Sequence, residues 1–321
     1  MKQVYVADGT RLAYERTGGG GGAPVALLDG ISCDGFIWRD LRPALERDHP
    51  VLHMHYRGHG RSGLPRDPEA CTIPHLAGDL AALLRRERLG PAVLIGHSMG
   101  VQVALETAWR HPEAVRALVL VCGSHGRVLD TFQHTDLGRR VLPALARVAG
   151  QHRDAVARVV RATLPTALTY SLAVLGEVKA DLVSQADLMP YLEHFARMPL
   201  DLFLRTLTDA SERESWAWLP RLAVPTLVIA GEDDGFTPAL VSRELAGRIP
   251  GAELELVPGV SHTAPIERPD AIETAIRDFL RAHGLDASRA PHDAAERPSL
   301  AARIVASRRA EIAPARHAGA A

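Results

Sequence analysis

A serine flanked at two residues on either side by glycine, Gly96-His97-Ser98-Met99-Gly100, is the segment whose residue types and spacing point most directly to chemistry. An apolar run from Val93 to Ile95 leads into it, and a segment of helical periodicity from Val101 leads out. Ser98 therefore falls on a strand-to-helix turn, where a sharp bend exposes the hydroxyl. The glycines follow from crowding, because a side chain at either position would strike the neighbouring strand or helix. A serine hydroxyl is a weak nucleophile near neutral pH. Attack on a carbonyl needs a histidine to take its proton and a carboxylate to hold that histidine. Among the 15 histidines, position selects His262, in a glycine-containing loop after the last apolar run and just before a helix. Three carboxylates, Glu232, Asp233 and Asp234, follow the run Leu227 to Ala230 and precede Pro238, so the chain order is Ser, acid, His.

These residues need a scaffold, and the apolar patterning supplies one. Short runs at Val25 to Leu28, Val51 to Met54, Val93 to Ile95, Val115 to Val121, Thr226 to Ala230 and Leu254 to Val257 read as strands. Helical periodicity covers Trp38 to Glu46, Ile73 to Leu89, Val101 to Trp109, Pro238 to Arg248 and Ile266 to Ala282. Continuous apolar strands alternating with amphipathic helices predict an α/β fold, a mostly parallel central sheet with helices on both faces. Val4 to Ala7 and Leu12 to Glu15 flank Asp8-Gly9 and predict a hairpin with a two-residue turn. The run Gly18 to Gly22 precedes a strand instead of following one, so it reads as a flexible loop and not a phosphate cradle. Between His125 and Leu219 no strand is expected. Val141 to Val148, Ala155 to Thr163 and Tyr191 to Leu207 read as helices, an inserted cap over the carboxyl ends of the strands. The expected division is a core of 1–124 and 220–284, a helical cap of 125–219, and a disordered Ala/Arg/Pro-rich tail of 285–321.

With these features in place, the sequence resembles the α/β-hydrolase fold superfamily over about residues 1 to 284. The resemblance rests on Gly96-His97-Ser98-Met99-Gly100, on Arg57-Gly58-His59-Gly60-Arg61-Ser62 after the fourth strand, on Val224 to Gly231, and on the loop around His262. In that family the acid commonly lies three residues after the glycine that ends its strand, which implies Asp234 in preference to Asp233 or Glu232. The loop after the third strand ordinarily opens His-Gly, and here it reads Asp29-Gly30-Ile31. By position, the resemblance implies that the backbone N–H groups of Ile31 and Met99 form an oxyanion hole. A carboxylate at 29 would oppose a developing oxyanion, so Asp29 is expected to turn away and bond the loop backbone.

A serine at the elbow, where aspartate would imply alkyl-enzyme chemistry, points to acyl transfer on an ester, thioester or lactone. Carbon–carbon bond hydrolysis, perhydrolysis and a slow-turnover receptor that keeps the triad are the alternatives. The cap is rich in Leu, Val and Ala, with Phe132, Tyr170, Tyr191, Phe195, Phe203, Trp216 and Trp218 as its aromatics, and suits small to medium apolar substrates. His53, His55 and His59 could be spaced for a divalent metal, but no acidic ligand accompanies them closely. Packed histidines are the expected reading, with no metal and no cofactor. Cys33, Cys71 and Cys122 show no C-x-x-C spacing and read as reduced thiols, with Cys33 a poor nucleophile for want of a base. Lys+Arg 37 against Asp+Glu 38 and 5% aromatics argue against a nucleic-acid partner. The absence of long apolar runs and of a secretory pattern predicts a cytoplasmic protein without stable membrane insertion, acting on a small molecule.

Overall fold

The computed structural model describes residues 1–127, 151–164, 166, 169, 179 and 181–287. Eight strands form one sheet: β1 (Lys2–Tyr5), β2 (Arg11–Gly18), β3 (Val25–Leu28), β4 (Pro50–Met54), β5 (Ala92–His97), β6 (Val115–Val121), β7 (Thr226–Gly231) and β8 (Glu253–Val257), in the order β1-β2-β4-β3-β5-β6-β7-β8. Strand β2 runs antiparallel to both β1 and β4, and the strands from β4 to β8 across the sheet are parallel. The fold is the α/β arrangement that the apolar runs predict.

Strand periodicity splits the core in two. Ala26, Leu28, Leu94, Leu118 and Leu120 face one hydrophobic cluster, while Val25, Leu27, Val93, Ile95, Val119 and Val121 face the other. Helices α2 (Ile73–Glu87) and α3 (Met99–Arg110) cover the first face, and α1 (Leu41–Leu45) covers the second. With both faces covered, every residue of β3 and β5 is buried.

Three local expectations are corrected. The β1–β2 pairing ends at Tyr5↔Arg11, and Val6 N–H donates to Thr10 O at 3.0 Å, so the connection is longer than a two-residue turn. Only Gly9 adopts a positive φ (80°), while Asp8 instead accepts the Thr10 N–H at 2.9 Å. The glycine run is not a loose loop. A methyl group on Gly18 would lie 2.3 Å from His49 O and one on Gly20 2.5 Å from Asp48 O, so glycine is required for two backbones to meet. The end of the described chain also packs further than expected: Leu285 is buried in the second cluster, and its carbonyl accepts the Ala23 N–H at 2.8 Å.

Between β6 and β7 the described residues form α4 (Arg153–Thr163), α5 (Gln185–Arg197) and α6 (Leu200–Glu212). The expected helix Tyr191 to Leu207 is two helices, because Pro199 forces Met198 out of helical conformation (ψ 137°). Val141 to Val148, Phe132, Tyr170 and nearly all of the 285–321 tail lie outside the described residues. The excursion leaves and rejoins the sheet at one place, where Arg127 N–H donates to Arg213 O (3.1 Å) and Ser215 N–H to His125 O (3.1 Å). Helix α6 rests on the core helices: Asp209 accepts the Ile73 N–H at the start of α2 (2.7 Å), and Gln102 of α3 donates to Ala210 O (3.0 Å). The described part of the chain closes with α7 (Ala239–Arg248), α8 (Ala264–Glu267) and α9 (Pro269–Ala282). Arg268 (φ −140°) interrupts the single helix expected from Ile266 onward, and Pro269 restarts it at a position that needs no N–H.

Candidate active site

Ser98 stands between β5 and α3 at φ 55°, ψ −119°, a conformation that costs of order 1–3 kcal/mol in a non-glycine residue. The surroundings hold it there. Its N–H donates to Val121 O at 3.1 Å and its carbonyl accepts the Val101 N–H at 3.0 Å. A methyl group on Gly96 would lie 2.4 Å from Gly100 O, and one on Gly100 2.2 Å from Leu28 O. Glycine at both places lets the turn fold this tightly.

His262 Nε2 lies 3.0 Å from Ser98 Oγ, and His262 Nδ1 lies 3.0 and 3.2 Å from the two Asp234 oxygens. Asp234 lies in the loop after β7, with its side chain fully buried. Burial by itself raises its pKa. The His262 ring, with the N–H and hydroxyl of Thr237 (both 2.8 Å), outweighs that and holds the carboxyl below the usual range, and the Phe236 N–H also donates to it at 2.9 Å. Asp233 is exposed and bound to Lys179 Nζ at 2.8 Å, and Glu232 is exposed. Of the three carboxylates, only Asp234 is bonded to the histidine.

The loop after β3 runs beside the serine: a methyl group on Gly30 would lie 3.2 Å from Ser98 Cβ. Among the described residues, Ile31 N–H has no hydrogen-bond acceptor. Met99 opens α3, so its N–H belongs to the first turn, where helices leave donors free. Asp29 departs from expectation. Its carboxylate pairs not with the loop backbone but with His53 Nε2 at 2.8 Å, from a residue one strand away.

Three supporting residues escape the sequence reading. His97, inside the glycine-serine motif, lies with Nε2 2.9 Å from His262 O, which ties the nucleophile's turn to the histidine's loop. Its ring is buried, which pushes its pKa down to about 3 and keeps it neutral. Glu267 clamps both neighbours of His262, accepting the Ser261 N–H (2.6 Å), the Ser261 hydroxyl and the Thr263 hydroxyl (2.7 Å). A carboxylate five residues after the histidine was the only available signal. Arg57, of the Arg57-to-Ser62 motif, is buried and forks onto Asp79 (2.8 and 2.6 Å) while reaching Asp8 (2.6 Å), a structural clamp on its loop.

His53 and His55 lie ring against ring at 5.2 Å, and His59 packs edge-on to Tyr56. Among the described residues, no group of three or more histidine, cysteine or acidic side chains is arranged to hold a metal ion. Cys33, Cys71 and Cys122 are free and buried, and burial raises the Cys33 thiol well above its ordinary value. No described helix is long and apolar enough to cross a membrane.

The model of the α/β hydrolase fold matches residues 18–269. The chain belongs to the α/β-hydrolase fold family. Among solved structures, this hydrolase is similar to the enol-lactonase of Burkholderia xenovorans LB400, at 26% identity and TM-score 0.68, over 87% of this chain and 99% of that one. It is 27% identical to a pimeloyl-acyl-carrier-protein methyl ester esterase of Neisseria meningitidis serogroup B, covering 80% of this chain and 92% of the esterase. It is also 32% identical over 266 residues to the polyketide synthase ThaQ of Burkholderia thailandensis, where the match spans 82% of this chain but only 12% of that protein.

Proposed function

We propose that the protein is a serine hydrolase that cleaves a small to medium, largely apolar ester, thioester or lactone through an acyl-enzyme on Ser98. The observation that carries this reading is the unbroken chain Ser98 Oγ to His262 Nε2 to His262 Nδ1 to Asp234, at 3.0 and 3.0 Å, with the serine on a strained turn. In this reading Ser98 Oγ attacks the carbonyl while His262 Nε2 takes its proton. Asp234 fixes the tautomer with Nδ1–H and stabilises the imidazolium, and His262 returns the proton to the leaving oxygen or sulfur. Water then enters and gives a proton to His262 as it attacks the acyl carbonyl, and His262 passes that proton to Ser98 Oγ as the acyl–oxygen bond breaks and the acid leaves. The N–H groups of Ile31 and Met99 receive the oxyanion, and two aimed donors of this kind are together worth several kcal/mol in the transition state.

The substrate class is drawn from what faces the loop after β3. Phe36 stacks on Tyr191 at 5.2 Å, Tyr191 meets Phe195 at 6.2 Å, and Phe195 meets Phe203 at 4.6 Å, an aromatic ladder between that loop, α5 and α6. Residues 125–219 act in this reading as a cap on a core of 1–124 and 220–284. Relatives named as a methyl ester esterase and an enol-lactonase point the same way. The free, buried cysteines fit a reducing, cytoplasmic setting. A panel of p-nitrophenyl esters tests the substrate class. The expected kcat/KM rises from acetate toward butyrate or hexanoate, by up to about 0.8 kcal/mol per buried methylene, and then falls. A flat profile, or a preference for charged acyl groups, contradicts an apolar pocket.

A further inference from the structure

The loop that carries Ile31 begins with a buried carboxylate. Asp29 is 1% exposed, and among the described residues its Oδ2 is paired while Oδ1 has no hydrogen-bond partner. A lone negative charge at this point works against any oxyanion formed a few residues along. His53 is what meets it. The ring is 2% exposed, on the strand adjacent to β3, and its Nε2 lies 2.8 Å from Asp29 Oδ2, so Nε2 carries the proton and donates it.

The other end of the loop rests on the same ring. Gly35, at φ 97°, passes so close that a methyl group there would lie 2.7 Å from His53 Cε1. The Tyr56 hydroxyl donates to Asp29 O at 3.1 Å and fixes the backbone of the loop's first residue. Residues 29 and 35 thus both seat on His53, and Gly30, between them and next to Ile31, is held against Ser98.

We propose that His53 is a positioning residue for acyl transfer: its Nε2–H engages the Asp29 carboxylate, directing that charge away from the oxyanion, and its ring supports the loop that presents Ile31 N–H to Ser98. The proposal rests on the reading of Ser98 as the acyl carrier. It goes beyond the triad because it makes an acidic residue at the head of an oxyanion loop tolerable only while a partner on the next strand engages it.

Steady-state hydrolysis of p-nitrophenyl butyrate by the full chain tests this, with His53→Phe, His53→Gln, Asp29→Asn and the double variant His53→Phe/Asp29→Asn measured beside Ser98→Ala, and a melting temperature taken for each. Removing one oxyanion donor typically costs about a hundredfold or more in kcat, and a displaced loop somewhat less, so His53→Phe is expected to lower kcat by about ten- to a hundredfold with KM within about threefold. A merely structural residue would lower the folded fraction without this split. His53→Gln keeps an N–H for Asp29 and is expected to recover most of the lost kcat. In the double variant no unpaired charge remains, so kcat is expected to rise above that of His53→Phe alone. A folded His53→Phe at the parental kcat overturns the proposal, as does a loss confined to KM or a double variant no faster than the single one. Should His53→Phe fail to fold, Asp29→Asn and His53→Gln decide: both keep the hydrogen bond and are expected to retain most of kcat, and a tenfold or greater loss in either with the melting temperature preserved overturns the proposal. Full activity in Ser98→Ala would instead overturn the hydrolase reading itself. An inactive Ser98→Ala beside an unaffected, folded His53→Phe removes only the role of His53.

Discussion

Lowering the pH from 7 to 4 perturbs a set of histidines that the fold buries uncharged. Burial, with a small push from the neighbouring His53, lowers the His55 pKa from 6.5 to about 4; burial does the same to His59, and the buried His97 falls to about 3. Below pH 6.5 the unfolded chain binds a proton at each of these sites and the folded chain does not, so stability falls as the pH drops and levels off near the folded value. A displacement from 6.5 to about 4 is 2.5 units, which at 1.36 kcal/mol per unit is up to about 3 kcal/mol for each of His55 and His59. Against a total of about 5–15 kcal/mol for a folded protein, that is a large fraction. The Asp234 carboxyl acts in a separate window: its folded pKa is depressed below 3.8, so its contribution is intact above that value and is lost only as the pH falls further. Glu15 and Glu87, held below 4.5 by hydrogen bonds from Arg42 and Tyr14, add to the loss near the acid end of the range, so urea unfolding at intervals from pH 7 to 5 reads chiefly the buried histidines, and the midpoint is expected to fall steadily from pH 7 to 4. Replacing His59 by Phe, which keeps the ring against Tyr56, is expected to make the fall shallower by about one proton. A midpoint that stays flat to pH 4, or an unchanged slope in His59→Phe, would refute the reasoning.

Two further outcomes follow from the geometry. Asp234→Asn is expected to reduce kcat by about ten-thousandfold by presenting the wrong histidine tautomer, whereas Asp233→Asn, which loses only an exposed contact to Lys179, changes it little; steady-state kinetics on the two variants separates them. A chain ending after Ala282 loses the buried Leu285 and its bond to Ala23, worth about 1.5–3 kcal/mol of apolar burial, and is expected to melt several degrees lower, while a chain ending after Ala287 keeps the parental melting temperature in a calorimetric scan.

Much of the scaffold was legible because both sheet faces are covered. The apolar runs at Val25, Val51, Val93, Val115, Thr226 and Leu254 announce parallel strands, and all six lie within β3 to β8. The candidate site was legible where spacing along the chain encodes it: a serine between glycines, a histidine after the last strand, and an acid after the one before. What the sequence concealed depends on contacts between distant segments. Nothing local shows that Gly18 and Gly20 must clear the carbonyls of His49 and Asp48, so a glycine run read as slack is a close-packed seam. The partner of Asp29 lies 24 residues away, and only the β3–β4 register, which sets Leu27 beside His53, brings it there. His97 and Glu267 escaped for the same reason, since each acts on the loop of His262 through hydrogen bonds that residue order does not reveal.

The central claim is that Ser98 carries the acyl group, and intact-protein and peptide mass spectrometry after treatment with a fluorophosphonate tests it most directly. The account predicts one adduct, located on Ser98, with hydrolysis abolished in step with labelling and both lost in Ser98→Ala. Labelling at any other residue, or esterase activity that survives in Ser98→Ala, would contradict it.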